Sequence, residues 1–415
     1  MQRLQVKWMA LIALSVIVGM QFWAPVRDAA GAEVEYIDSH NHAPHTPTCV
    51  YDDAYDTKVQ TDVLARMDTF GIQKTLFMPP PHSPDNIPCG YEHLAELVKR
   101  YPDRFAFLRG GESLNVMIQK VVTGLATLQE TLPDFVRAAK QLLRDGAVGF
   151  GEMAAEHFSL HSGHPYISAP PDHPLFLLLA DLAAGHDVPI DLHMEALASD
   201  TAFADLPFEC SAADENQQFA NPAVFPENIT AFERLLRHNR RARILWVHAG
   251  WDNTGDRTAA LTRQLLENHP NLYIQLRPIP IRSAGNCNPL MNKDEHGNIQ
   301  IEAEWLELIS AFPDRFIVGL DSFYSNFNPK ELSDEEFAEI LEQLLGAGTR
   351  FMDKLRQFSP DLVRKVGREN AVRIYKLDEP MICHRPGTPA EQVLRVSGSA
   401  VKGHLAHGDT LGPCG

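Results

Sequence analysis

V-E-Y-I-D-S-H-N-H-A-P-H, residues 34–45, moves from an apolar start into three histidines and an aspartate within eight positions. Side chains alternate faces along a strand, so a strand here puts Asp38, His40 and His42 on one side. His45 follows Pro44 and belongs to the loop beyond. A solvated surface strand would give the same H-x-H pair. The run acquires meaning only from what the rest of the chain offers.

Seven further β-branched or aromatic runs follow: Lys74–Met78, Phe105–Arg109, Ala147–Glu152, Val188–His193, Ile244–His248, Leu272–Leu276 and Phe316–Asp321. Between them lie helical patterns such as Y-E-H-L-A-E-L-V-K-R, I-T-A-F-E-R-L-L-R-H and A-E-W-L-E-L-I-S-A-F. Parallel strands need helical crossovers, and eight of them close a sheet. The expected fold is therefore α/β, a single-domain (β/α)8 TIM barrel, with an open doubly wound sheet as the alternative. Loop lengths favour the barrel. Helix-to-strand links such as 71–73 are short, whereas strand-to-helix links reach 194–226, 277–301 and 322–332, which concentrates elaboration on the face where barrel enzymes carry their sites.

The strand ends carry chemistry. The fourth run ends at Glu152, the fifth at His193, the sixth at His248 and the eighth at Asp321. Together with His40 and His42, these six groups would converge in a buried place, where unpaired imidazoles and carboxylates are costly without a cation. Nitrogen and oxygen ligands without thiolate suit zinc first, with Mn, Fe or Co as other choices.

The ordered set I-D-S-H-N-H, D-L-H-M, W-V-H-A-G, V-G-L-D-S and G-R-E-N-A-V-R-I-Y resembles the metal-dependent amidohydrolase superfamily, in its amidohydrolase-related branch of hydrolases and decarboxylases. The resemblance spans about residues 34–377. It implies that His40 and His42 ligate a first metal, that His193 and His248 are the strand-five and strand-six histidines, and that Asp321 is both ligand and proton shuttle. His248 would ligate a second metal or polarise the substrate carbonyl. Glu152 stands where many two-metal relatives carry a bridging carboxylated lysine. It either bridges two ions or holds a ligand histidine from behind. One or two ions are thus expected.

Two activities compete: hydrolysis of an amide, ester or lactone by a metal-activated water, and decarboxylation or hydration of a small carboxylic acid. Arg277, just after the seventh run, could grip a substrate carboxylate, which would favour the lyase, or anchor a loop. His82, His157, His161 and His164 are expected at the rim, mostly solvated, and Trp251 lines the pocket or packs beneath a loop.

Residues 1–32 have a basic start, an apolar stretch and an A-x-A ending at Ala32, the pattern of a cleaved signal peptide, with an uncleaved anchor as the other reading. The expected division is leader 1–32, barrel 33–377 and C-terminal tail 378–415, in a periplasmic or secreted protein without stable membrane insertion after cleavage. Six cysteines without a C-x-x-C pair suit disulfides; Cys49–Cys89 and Cys210–Cys287 are the favoured pairs, and Cys383 with Cys414 would tie down the tail. The net charge of -17 argues against nucleic acid as a partner. A small-molecule substrate is expected, and a homo-oligomer is compatible with the sequence.

Overall fold

The computed structural model describes residues 34–43, 50–84, 91–279, 285–324, 334–396, 398–412 and 414. The leader, His45 and the Cys49–Cys89 pair lie outside these residues. Eight strands alternate with helices: β1 (Tyr36–His42), β2 (Ile72–Phe77), β3 (Phe105–Phe107, resumed at Arg109–Gly110), β4 (Phe150–His157), β5 (Pro189–Met194), β6 (Arg243–Ala249), β7 (Leu272–Leu276) and β8 (Phe316–Val318, resumed at Ser322–Phe323).

Each strand pairs in parallel with the next. β1 joins β2, and β2 joins the first piece of β3. The second piece of β3 joins β4, and pairing then runs through β5, β6 and β7 to the first piece of β8. The second piece of β8 returns to β1, so two parallel sheets, parted at the breaks in β3 and β8, follow one another in the order of the expected barrel. Gly319 sits at the break in β8 because a Cβ there would fall 1.8 Å from Gln275 Nε2 and 2.7 Å from the Cβ of His40. Only glycine permits that approach.

The intervening helices are α1 (53–69), α2 (His93–Arg100), α3 (Leu114–Val122), α4 (Leu128–Arg144), α5 (Pro174–His186), α6 (Ile229–His238), α7 (Ala259–Asn268), α8 (Ala303–Ala311), α9 (Asp334–Phe358) and α10 (360–375). α4 shows why such segments fold where they do. Thr127 and Glu130 cap its first turn reciprocally, and Thr131, Phe135, Ala139 and Leu142 form one buried stripe. The barrel interior is a second apolar cluster in which Ile37, Leu76, Leu108, Val247 and Ile317 meet Ile374 and Tyr375 of α10. The G-R-E-N-A-V-R-I-Y ending is thus the barrel floor.

Three local readings change. The pairing of β1 with β2 shifts register between Asp38 and Asn41, so strict alternation fails there. Asp38 accepts the Leu320 N–H at 2.9 Å, beside Tyr36 and Tyr324, instead of joining the two histidines. β4 also runs five residues past Glu152, because Glu156 and His157 pair antiparallel with Ile167–Ser168. Beyond Leu377, the chain forms an antiparallel sheet of β9 (Met381–His384), β10 (Gln392–Arg395) and β11 (Thr410–Leu411), with helix α11 (Gly398–Ala406). Cys383–Cys414 closes this segment, and Cys210–Cys287 joins the loops after β5 and β7.

Candidate metal centre

Glu152 stands at the centre of the barrel mouth, with its two carboxylate oxygens divided between two pairs of imidazoles. Oε1 is 2.9 Å from His193 Nδ1 and 2.9 Å from His248 Nε2. Oε2 is 3.5 Å from His40 Nε2 and 3.6 Å from His42 Nε2. Asp321 enters from the break in β8, its Oδ1 3.1 Å from His42 Nε2 and its Oδ2 3.8 Å from His248 Nδ1. All six expected residues therefore meet in one place, although Glu152 does so from the middle of its strand.

The imidazoles are oriented from behind. His42 Nδ1 lies 2.9 Å from the Met78 carbonyl, which can only accept, so Nδ1 donates that bond and Nε2 faces the carboxylates. His40 Nδ1 is 3.6 Å from Asp191 Oδ2, and the buried Tyr375 hydroxyl donates to Asp191 Oδ1 at 2.8 Å. Glu195 Oε1 lies 3.9 Å from His193 Nε2 and accepts from Asn253. Carboxylates and carbonyls behind ring nitrogens are the usual means of fixing metal-binding histidines. Sequence reasoning passed over Asp191 and Tyr375. The signal for Asp191 was its place two residues before His193, on the same face of β5.

Two backbone features aim the last ligands. His248 and Asp321 both have left-handed φ values, 70° and 51°, which side chains other than glycine rarely adopt. The His248 N–H donates to Gln275 Oε1 at 2.7 Å, and the Asp321 N–H to the His40 carbonyl at 2.8 Å. Neighbouring strands thus hold both strained residues in place.

The electrostatics fit a cation. Burial alone would raise Glu152, but His40, His193 and His248 outweigh it and hold its carboxyl well below the ordinary range. Asp321 is likewise lowered, as Arg277 and then His248 and His42 overcome its burial. Burial pulls His40 and His193 down, yet Glu152 more than offsets this and raises them to about 10 and about 9. Burial dominates at His248, which falls to about 3. His40 Nε2 and His248 Nδ1 are buried without a hydrogen-bond partner. Two trios, His40–His42–Glu152 and Glu152–His193–His248, each bring their ligand atoms within 4.8 Å of one another. Anionic oxygens and unpartnered ring nitrogens converging in this way suit divalent metal.

Arg277 does not stand free at the rim. Its Nη2 is 3.2 Å from Asp321 Oδ2, and its guanidinium lies 4.3 Å over the Trp251 ring. Three rim histidines, His82, His157 and His164, depart from a solvated reading, whereas His161 is exposed as expected. The His157 ring is tilted against those of His193 and His164, each at 4.7 Å, His161 stacks on His164 at 4.6 Å, and burial lowers His157 and His164 to about 3. His82 is buried beside the Tyr91 hydroxyl.

The family model described as Amidohydrolase matches residues 37–377. No curated protein matches the chain. Among solved structures, 2,6-dihydroxybenzoate decarboxylase complexed with 2,6-dihydroxybenzoate is 15% identical, with 82% of this chain and 99% of that chain covered at a TM-score of 0.43. Dihydroorotase from Campylobacter jejuni is 14% identical over 92% and 97%, with a TM-score of 0.42. Atrazine chlorohydrolase from Arthrobacter aurescens complexed with zinc is 12% identical over 83% and 71%, with a TM-score of 0.38.

Proposed function

We propose, from the premise that this chain belongs to the amidohydrolase family of metal-dependent enzymes, that it is an exported hydrolase of amide, ester or lactone bonds with a paired cation site bridged by Glu152. The observation that carries this is the division of the two Glu152 oxygens between His40 with His42 and His193 with His248. His40, His42 and Asp321 would hold one ion, His193 and His248 the other, with zinc the favoured metal for such donors. A divalent cation so held supplies Lewis acidity and brings the pKa of water towards about 7.

The chain's own groups do the rest. Asp321 takes the proton of the attacking water at Oδ2 and returns it to the leaving nitrogen or oxygen. Arg277, paired to that oxygen at 3.2 Å, fixes the carboxylate's direction and keeps it ionised between turnovers. Proton transfer from a positioned group contributes roughly 10² to 10⁴ in rate. An Arg277 free to grip a substrate carboxylate would have favoured the lyase reading, and its engagement with Asp321 and Trp251 withdraws that support. The two disulfides among the described residues support the export reading, because such bonds persist in oxidising compartments. No helix among the described residues is long and apolar enough to cross a membrane.

Metal analysis of the full chain against a His40→Asn/His248→Asn variant tests the pairing. The expected difference is two ions per chain; a difference of one or none removes the bridge. On a panel of esters, lactones, amides and aromatic acids, Asp321→Asn should keep at least the His193–His248 ion and lose roughly 10² to 10⁴ in turnover. Full turnover in that variant would sink the proton shuttle.

A further inference from the structure

We propose that His384, His404 and Asp409 form a separate structural site for a divalent cation of the zinc type, which clasps the C-terminal segment outside the barrel. His384 Nδ1 is 2.7 Å from Asp409 Oδ2, and His404 Nδ1 is 2.8 Å from the same oxygen. The other carboxylate oxygen accepts the Arg385 N–H at 2.9 Å, which fixes the rotamer. The three ligand atoms lie within 4.8 Å of one another. Zinc–nitrogen and zinc–oxygen bonds of about 2.0 to 2.2 Å set neighbouring ligand atoms roughly 3 Å apart, so small rotations admit the ion.

The packing supplies the independent argument. α11 has no buried residue, and within residues 378–415 Ile382 and Cys383 are the buried apolar side chains among the described residues. A nine-residue helix is marginal on its own and normally depends on an apolar face packed against a core. Here the connection from helix to sheet runs through Asp409, just before β11, whose Oδ2 meets both His404 of α11 and His384 at the end of β9. Asp409 lies 25 residues from His384 of β9 and 5 from His404 of α11, so a cation there would close both loops at once. Small structures without a core typically rely on disulfides or metal in this way. This segment already has the Cys383–Cys414 disulfide.

The donor set selects the ion. Both cysteines are consumed by the disulfide, leaving two imidazoles and a carboxylate, which suit zinc over magnesium or calcium. The Asp409 side chain is 2% exposed, whereas the imidazoles are 23% and 25% exposed, so water has access to complete the coordination. This inference does not depend on the barrel reading. Its ligands share no residue with the barrel site.

The full chain is stripped with chelator, reloaded with zinc, and compared with His404→Gln treated identically. The unaltered chain should hold one zinc more per chain than the variant, whatever the barrel holds; equal counts in folded proteins overturn the site. Carbethoxylation of His384 and His404, read peptide by peptide in the unaltered chain, decides the matter should the variant not fold. Zinc should slow both modifications at least tenfold relative to stripped protein, and equal rates with and without zinc overturn the proposal.

Discussion

The barrel mouth draws its polar groups from five strands, each locked into parallel pairing and backed by apolar layers, whereas His384, His404 and Asp409 sit on or beside short elements whose buried apolar side chains, among the described residues, are Ile382 and Cys383. In the first region the scaffold holds the side chains, and it is rigid enough to keep His248 and Asp321 at left-handed φ values that cost on the order of 1–3 kcal/mol each. In the second the side chains hold the scaffold. The same residue types therefore have different consequences when removed: lost chemistry in the barrel, lost order in the C-terminal segment.

Glu152→Gln should break the comparison most sharply. It leaves four imidazoles around a neutral amide, removes the carboxylate that two ions would share, and costs about 3–5 kcal/mol of barrel stability. Turnover should fall with the metal, while hydrogen exchange across 381–411 stays unchanged. If the variant retained its barrel ions, Glu152 would be a support for His193 and not a bridge. Cys383→Ser/Cys414→Ser is the mirror image. Opening a loop of sequence separation 31 should weaken the segment by about 3–4 kcal/mol. Exchange in 381–411 should accelerate while barrel activity persists; a barrel that melted in step would show the segment to be integral to it.

That contrast also explains what was legible from the sequence. The eight strands and their order could be read because apolar runs and amphipathic helices repeat with clear periods. The meeting of His40, His42, His193, His248 and Asp321 could be anticipated because each stands at the end of such a run. Glu152 could be named, but its strand continues because Ile167–Ser168 pairs with residues 156–157, and no local pattern announces a partner ten residues away. Asp38 was placed with the histidines because a register shift leaves no mark on composition. The C-terminal sheet stayed hidden for the opposite reason. Its elements are short, its helix lacks an apolar stripe, and the links that define it are a disulfide and a polar cluster that only three dimensions bring together.

Proton release gives a smaller and more quantitative effect. With Glu152 raising His40 to about 10 and His193 to about 9 from 6.5, both rings carry protons at neutral pH until a cation displaces them. For the metal-free barrel the sign is that of raised bases: this contribution to stability is complete below about 6.5 and is lost as pH rises through 9 to 10. Metal affinity therefore rises with pH, by up to about tenfold per pH unit for each proton displaced, and levels off near 10. Titration calorimetry in buffers of different ionisation enthalpy should count close to two protons per chain at pH 7. A count of zero would mean that the imidazoles are neutral before the metal arrives.

Tyr375→Phe should have the smallest effect and test the finest distinction, between a floor that packs and a floor that aims. Its hydroxyl donates to Asp191, which backs His40 Nδ1, so α10 reaches the metal-facing ring through one carboxylate. Loss of such a supporting hydrogen bond typically costs at least about tenfold in metal affinity. Loss of a buried hydrogen bond alone costs about 1–3 kcal/mol of stability. A purely packing role for Tyr375 predicts a lower melting temperature with unchanged metal affinity and proton count. An aiming role predicts weaker binding in the unmelted protein, reproduced by Asp191→Asn and absent from a floor variant such as Ile374→Val, which thins the same apolar layer without touching the carboxylate.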